Sequence, residues 1–250
     1  MPVRRQVPIV EELEPRILYS ADLMPLHVPA DSASTGSTLD TAAGDQALVR
    51  HEVVFVDEGV GDADGLIASI VGADDESVSR EVIRIAGDED GIAAITRALE
   101  GRSDVSAIHV LSHGSPGEVV LGSSVLSGDS LFARAGEVAT WGDALTADGD
   151  LLFYGCDVAS TADGRALVDN LAQLTGADVA ASDDLTGAAA LGGDWELEVA
   201  TGTIVAPLGT TAYAPAQWQG VLATYTVTNT NDSGAGSLRP AGSLPAAPHP

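Results

Sequence analysis

From residue 51 onward, short and continuous apolar runs alternate with amphipathic helical patterns. The apolar runs cover residues 52–57, 81–86, 105–111, 151–154 and 177–181, and residues 195–199 alternate apolar and acidic side chains as a half-buried strand does. Ile92, Ile95 and Leu99 recur at helical spacing, and a second helical pattern, over residues 167–174, ends before Gly176. Because apolar strands that alternate with helices form parallel sheets covered on both faces, the sequence predicts an α/β domain. We expect a three-layer sandwich with a mostly parallel sheet and helices on both faces.

The segments that flank this domain, which covers about residues 51–205, differ from it in composition. Prolines interrupt residues 1–50 repeatedly, so we expect a disordered N-terminal segment there. Residues 206–223 are predicted to be a linker. Residues 224–250 begin with strand formers and end in Pro, Ala and Gly, which predicts a strand-forming module of which only a truncated start is present.

Two of the apolar runs end in a turn that holds a reactive side chain. His113 follows the run at 105–111, and Cys156 follows the run at 151–154. Because ligands bind at the carboxyl ends of parallel strands, we expect the two side chains to face each other across an accessible groove at one edge of the sheet. A thiolate nucleophile beside an imidazole is the pair that cysteine peptidases use. The backbone N–H groups of Gly114 and Cys156 are the predicted oxyanion hole.

Four acidic residues fall in turns that follow strands, near the predicted position of a substrate: Asp157, Asp183, Asp184 and Asp194. Carboxylates at such a position recognise Arg or Lys side chains, so these residues are candidates for a substrate-binding pocket, with Asp183 the first choice. The alternative is that they are solvated loop residues, because the chain has 37 acidic residues in all.

The strand-His-Gly and strand-Gly-Cys elements resemble those of caspase-like cysteine peptidases. From Val53 to about Ile204 the chain also resembles the DUF4347 family, in residues 105–117, 151–159, 180–183 and 192–197. The resemblance implies a caspase-like fold and a peptidase that works with a Cys156–His113 dyad on a polypeptide substrate. His109, inside the strand, is expected to be a satisfied core or face residue without a catalytic role.

Two further segments resemble parts of large bacterial surface proteins. The stretch at residues 13–22, which begins Leu13-Glu14-Pro15-Arg16, resembles the LEPR-type motif near the start of such proteins, and residues 224–239 resemble the opening strand of the β-helix modules of adhesins. These resemblances imply an extracellular or cell-surface location for the domain. No export signal is visible in the chain.

Composition and motifs exclude several classes of function. The formal net charge is −26, and such a surface repels nucleic acid. No apolar run approaches the roughly 18 residues of a membrane span. A phosphate-binding loop, a zinc site and a complete EF-hand loop are all missing, so we expect no cofactor and no metal, and calcium binding has no motif to support it.

The sequence leaves three functional hypotheses open. The first is a caspase-like cysteine endopeptidase of an exported surface protein, which cleaves polypeptides that include its own parent chain. The alternative is a non-catalytic structural or interaction domain of an adhesin, in which Cys156 is buried and does not contact His113. The third is a hydrolase or transferase of another kind that uses the same pair of residues.

Overall fold

A mostly parallel sheet of six strands organises the fold. The computed structural model describes residues 49–71, 77–206, 208 and 218–223. Almost all of the N-terminal segment, which includes the predicted LEPR-type motif, and the predicted module at 224–250 lie outside the described residues. In chain order the elements are β1 (Arg50–Asp57), α1 (Ala63–Val71), β2 (Val78–Ile85), α2 (Gly91–Leu99), β3 (Val105–Leu111), β4 (Gly114–Ser115), β5 (Glu118–Leu121), β6 (Ser124–Ser127), α3 (Gly128–Ala133), α4 (Ala135–Asp143), β7 (Leu145–Tyr154), α5 (Ala162–Thr175), β8 (Asp178–Ala181), a short 3-10 helix (Ala189–Leu191) and β9 (Val199–Ala200).

The strands of the large sheet lie in the order β2-β1-β3-β7-β8-β9. Neighbouring strands are parallel except β8 and β9, which are antiparallel. Parallel strands need a crossover connection, and helices supply it here. The predicted α/β class, with a mostly parallel sheet between layers of helices, is therefore confirmed. The strands β4, β5 and β6 form a separate antiparallel sheet that the sequence did not predict.

Alternate residues of each central strand point to opposite faces of the sheet and enter two apolar clusters. In β1, Val53 and Phe55 pack with α2, α4 and α5 on one side, which we call the helical face. Val54 and Val56 pack on the opposite side, which we call the site face. The site face is covered by α1 and by buried residues that follow β8, namely Trp195, Ala206, Leu208, Trp218 and Leu222.

Both helices that the sequence predicts are present. The helix α2 begins after Asp90, whose side chain accepts a hydrogen bond from the N–H of Ala93, and it buries Ile92, Ile95 and Leu99. The helix α5 ends at Gly176, which has a φ of 73° in the left-handed region. Among the described residues, no helix is both long enough and apolar enough to cross a membrane.

The strand predicted at residues 195–199 is largely wrong. Only Val199 belongs to a strand, β9, and residues 195–198 have no strand partner. Burial still alternates along the segment, because Trp195 is buried while Glu196 and Glu198 are exposed. An alternating pattern indicates which side chains face the core, but it does not indicate that the segment forms hydrogen bonds with a neighbouring strand.

The described part of the stretch predicted to be a linker at 206–223, namely residues 206, 208 and 218–223, packs against the folded domain. Leu208, Trp218 and Leu222 are buried on the site face, and the N–H of Leu208 donates to the hydroxyl oxygen of Tyr154 at 2.6 Å. The packed domain therefore extends to Leu222, beyond the boundary predicted near residue 205.

Candidate active site

The ends of β3 and β7 meet backbone to backbone. The two strands are parallel neighbours with Leu111 opposite Tyr154, the adjacency on which the predicted site depends. Beyond the strands, a Cβ atom added to Gly114 would lie 2.5 Å from the carbonyl oxygen of Cys156 and 2.6 Å from the carbonyl carbon of Gly155. Only glycine allows this approach, which brings the chain at His113 beside the chain at Cys156.

The imidazole of His113 is oriented by a backbone carbonyl. Its Nε2 lies 3.1 Å from the carbonyl oxygen of Gly59, and its buried Nδ1 has no hydrogen-bond partner. A carbonyl oxygen can only accept, so Nε2 carries the proton and Nδ1 of the neutral ring keeps a free lone pair. The ring therefore has an unused basic nitrogen.

Asp57, at the end of β1, fixes the loop that orients His113. One oxygen of this buried carboxylate accepts the N–H of Gly59 at 2.7 Å, and the other accepts the N–H of Gly122. Sequence reasoning missed Asp57 and Gly59. The available signal was a carboxylate at the end of a buried strand, followed closely by glycine.

The Cys156 thiol is sealed inside the protein, and the predicted accessible groove is wrong for this conformation. The residue has no exposed surface, and Sγ lies 3.2 Å from the N of Thr186 and 3.6 Å from its carbonyl oxygen. Burial raises the pKa of the thiol to about 11, and the charge of Asp157 adds to the effect. The hydrogen bonds of Sγ thus go to Thr186 rather than to His113.

The two predicted oxyanion donors share one acceptor. The N–H of Gly114 donates to the carbonyl oxygen of Leu222 at 3.0 Å, and the N–H of Cys156 donates to the same oxygen at 3.3 Å. The structure thus brings together the two backbone groups that the sequence singled out, around a peptide carbonyl of the chain itself.

Residues 218–223, which we call the bound segment, lie along the site as an extended peptide. The N–H of Leu222 donates to the carbonyl oxygen of Thr186 at 2.9 Å, and the N–H of Ala188 donates to the carbonyl oxygen of Gly220 at 2.8 Å. Gly187 and Val221 form an antiparallel bridge between these two bonds. This pairing is the way in which a peptide adds a strand to an exposed backbone edge.

Aromatic side chains hold the start of the bound segment. The indole N–H of Trp218 donates to the carbonyl oxygen of Asp62 at 3.2 Å. Its ring meets the ring of Trp195 edge-on at 6.0 Å, and Trp195 lies 6.0 Å from Tyr154. These contacts tie the segment to the site face of the sheet.

Two of the predicted substrate-binding acids, Asp184 and Asp194, gather with Glu198, which the sequence reasoning missed. Carboxylate oxygens of the three residues lie within 4.8 Å of one another. Partial burial, then the charges of Asp194 and Asp183, raise the pKa of Asp184. Burial also raises the pKa of Glu198, to which the neighbouring Asp184 contributes. The cluster is exposed and could take a cation or a basic side chain.

The other two predicted acids, Asp157 and Asp183, are engaged within the domain. The N–H of Asp157 donates to the carbonyl oxygen of Asp184 at 2.7 Å, and its φ of 62° marks a tight turn. Asp183 lies 3.8 Å from the guanidinium of Arg165, and its N–H donates to Glu198. Asp183, the first choice from the sequence, therefore already faces a basic group.

His109 lies in the core, apart from this site, as expected. It is fully buried, with Nε2 3.4 Å from the carboxylate of Glu52, and its ring stacks on Tyr154 at 6.1 Å. Burial alone would raise the pKa of Glu52, but His109 and Arg80 hold it below its usual value.

The comparison with known families finds one match for the part of the chain that holds this site. The sequence matches the family described as "Domain of unknown function (DUF4347)" over residues 53–222, which is most of the chain. No curated protein matches it. The matched range begins in β1 and ends at Leu222, the residue whose carbonyl oxygen the two donors share. The chain therefore belongs to the DUF4347 family.

Proposed function

We propose that this domain is a caspase-like cysteine endopeptidase, with Cys156 as the nucleophile and His113 as the base. One observation carries the proposal: the N–H groups of Gly114 and Cys156 converge on a single peptide carbonyl oxygen. Two converging backbone donors, next to a cysteine and an oriented histidine, form the arrangement that acyl transfer requires.

The proposed reaction uses the two backbone donors and the free Nδ1 of His113, once Cys156 Sγ has turned toward His113. As Cys156 Sγ bonds to the carbonyl carbon of the substrate, its proton passes to the free Nδ1 of His113. The carbonyl oxygen takes up the electron pair of its double bond, and the N–H groups of Gly114 and Cys156 stabilise this charge. When the carbonyl re-forms, the amine leaves with the proton from His113. Water then hydrolyses the thioester to a carboxylic acid and restores the thiol.

The Cys156 thiol must lose its proton and change its orientation in order to attack a substrate. With a pKa of about 11 the thiol is protonated at neutral pH, so His113 must remove the proton during attack. Sγ must also turn from Thr186 toward His113. Rotation about one side-chain torsion between staggered positions is the movement that this requires.

The burial of Cys156 is the specific observation that favours the alternative function. A fully buried cysteine that bonds only to backbone groups is typical of a structural residue. Under this alternative, the domain is a non-catalytic structural or interaction part of a surface protein. The location at the cell surface is part of either proposal and rests on the resemblance of residues 13–22 to a motif of large bacterial surface proteins and of residues 224–239 to an adhesin module.

The experiment that separates the two functions is cleavage of a peptide library by the full chain. Wild type is compared with Cys156→Ala, His113→Ala and the control His51→Ala, whose imidazole is exposed on β1 and lies 3.8 Å from Asp104. The peptidase proposal expects cleavage by wild type and His51→Ala and none by the other two variants. Identical profiles for all four proteins, or no cleavage by any of them, would support the structural alternative.

A further inference from the structure

The bound segment occupies the site with the polarity and register of a substrate. Its carbonyl at Leu222 lies in the pair of oxyanion donors, while the N–H of the same residue and the carbonyl of Gly220 bond to residues 186–188. The oxyanion hole marks the carbonyl that is attacked, so the bond after it is the one that breaks. In this chain that bond joins Leu222 to Ala223.

Close backbone contacts indicate that the site is shaped for this segment. A Cβ atom on Gly187, which has a φ of 141°, would collide with the carbonyl oxygen of Gly220. A Cβ atom on Gly220 would in turn collide with the ring of Trp218. Glycine at 187 is therefore needed for the segment to lie this close to the site, and glycine at 220 leaves room for the Trp218 ring of the same segment.

The side chain at the attacked residue is apolar and enclosed. Leu222 is fully buried in the same apolar cluster as Cys156, Trp195 and Trp218. An aliphatic side chain fits such surroundings, whereas an Arg or Lys side chain would bury an unpaired charge there. The exposed acidic cluster of Asp184, Asp194 and Glu198 has no role in holding this residue.

We propose that the domain cleaves its own chain between Leu222 and Ala223, and that it selects an aliphatic residue before the cut. This inference rests on the proposed peptidase function. Cys156 Sγ attacks the carbonyl carbon of Leu222 and forms a thioester, and Ala223 leaves as a free amine. One water molecule then releases Leu222 as a carboxylate. The cut separates the matched family domain, which ends at Leu222, from everything that follows it.

The test is the intact mass and the N-terminal sequence of the purified full chain after incubation. Wild type is expected to give a fragment that ends at Leu222 and one that begins at Ala223, and Cys156→Ala is expected to stay whole. Ala223→Pro removes the N–H of the leaving group and fixes its φ, so it should slow the cut by about 100-fold, the scale of a misplacement of about 1 Å. The control Ala241→Pro, outside the bound segment, should be cut at the wild-type rate.

A second arm distinguishes failure of this inference from failure of the peptidase proposal. A synthetic peptide of residues 216–227 is offered to the full chain beside the same peptide with Leu222→Arg. We expect the leucine peptide to be cut faster by at least about tenfold. Peptide cleavage that depends on Cys156, without a cut between Leu222 and Ala223 of the chain, overturns the inference and leaves the peptidase. A preference for the arginine peptide overturns the specificity. If neither the chain nor any peptide is cut, both proposals are wrong.

Discussion

On the helical face of the sheet, α2, α4 and α5 provide a regular cover, whereas on the site face α1 shares the cover with chain that forms little regular structure. The helical cover packs through apolar side chains at helical spacing. The bound segment packs through Leu222 and Trp218 and through four backbone hydrogen bonds that Thr186, Ala188, Gly114 and Cys156 make with it. We infer from this difference that one face is closed as part of the core, while the other is closed by a segment whose release would leave the sheet intact.

Two tryptophans, one on each face, provide the largest expected effect. Trp141 and Trp218 are both buried, and each donates its indole N–H to an oxygen, Thr96 Oγ1 at 2.8 Å and the Asp62 carbonyl at 3.2 Å respectively. We expect Trp141→Ala to lower the free energy of unfolding by about 3–5 kcal/mol. Trp218→Ala should lower it by only about 1–2 kcal/mol, because releasing the segment limits the loss.

The reactivity of the Cys156 thiol should respond in the opposite order, because Trp218→Ala should change it more than Trp141→Ala does. Trp218→Ala is expected to speed alkylation of Cys156 by iodoacetamide by at least about tenfold, because the bound segment that covers the thiol is then held less tightly. Chemical denaturation and mass spectrometry provide the two measurements. The two faces would be closed in the same way if both variants lost the same free energy of unfolding and the thiol of Trp218→Ala stayed unreactive.

Measuring the free energy of unfolding at alkaline pH tests whether the Cys156 thiol is enclosed. The pKa of Cys156 is raised from 9.0 to about 11 in the folded protein, so the stability that this group contributes is complete below pH 9 and is lost as the pH rises toward 11. Relative to Cys156→Ser, whose hydroxyl does not titrate there, wild type should lose about 2 kcal/mol by pH 11. Parallel stability curves for the two proteins would mean that the thiol is not enclosed in solution.

Replacing two glycines by alanine compares a position in close backbone contact at the site, Gly114, with an open position on the helical face, Gly136. A Cβ atom on Gly114 would meet the backbone of Cys156, whereas one on Gly136, in α4, would meet nothing within 4 Å. Gly114→Ala is expected to cost about 1–3 kcal/mol because the two turns must move apart. Gly136→Ala should gain about 0.5 kcal/mol in the helix. Thermal unfolding of both variants checks this, and a neutral Gly114→Ala would contradict the described contact.

The smallest expected effect belongs to the acidic cluster near the site. The pKa of Asp184 is raised, so its contribution to stability is present below its unfolded pKa and is lost as the pH rises through its folded value. Asp184→Asn should therefore be slightly more stable than wild type at pH 7, by at most about 0.5 kcal/mol because the group is exposed and screened. The difference should vanish at low pH. Loss of stability in Asp184→Asn at pH 7 would contradict this interpretation.

The sequence predicted the parts of the molecule that side-chain patterns encode. Apolar runs and turn residues indicated that the strands before His113 and Cys156 end at one edge of the sheet, and they singled out the N–H groups of Gly114 and Cys156 as a pair of donors. The helix α5 and its end at Gly176 followed from spacing and from the left-handed preference of glycine.

The occupant of the site could not be predicted, because it is held mainly through main-chain groups. Every non-proline residue has the same N–H and C=O, so nothing in the sequence distinguishes Leu222 or Thr186 as bonding partners. Leucine at 222 also follows no periodic pattern that would place it in a core. For the same reason the sequence could not decide between an accessible and a buried Cys156, and the orienting carbonyl of Gly59 was not found.

The most direct test of this account is the rate of Cys156 alkylation in the native full chain as a function of low denaturant concentration. Release of the bound segment exposes little surface, so the account predicts a measurable rate that is almost independent of denaturant. A rate that rises with the full denaturant dependence of global unfolding would show that the thiol is reached only when the whole domain unfolds, and would contradict a releasable cover.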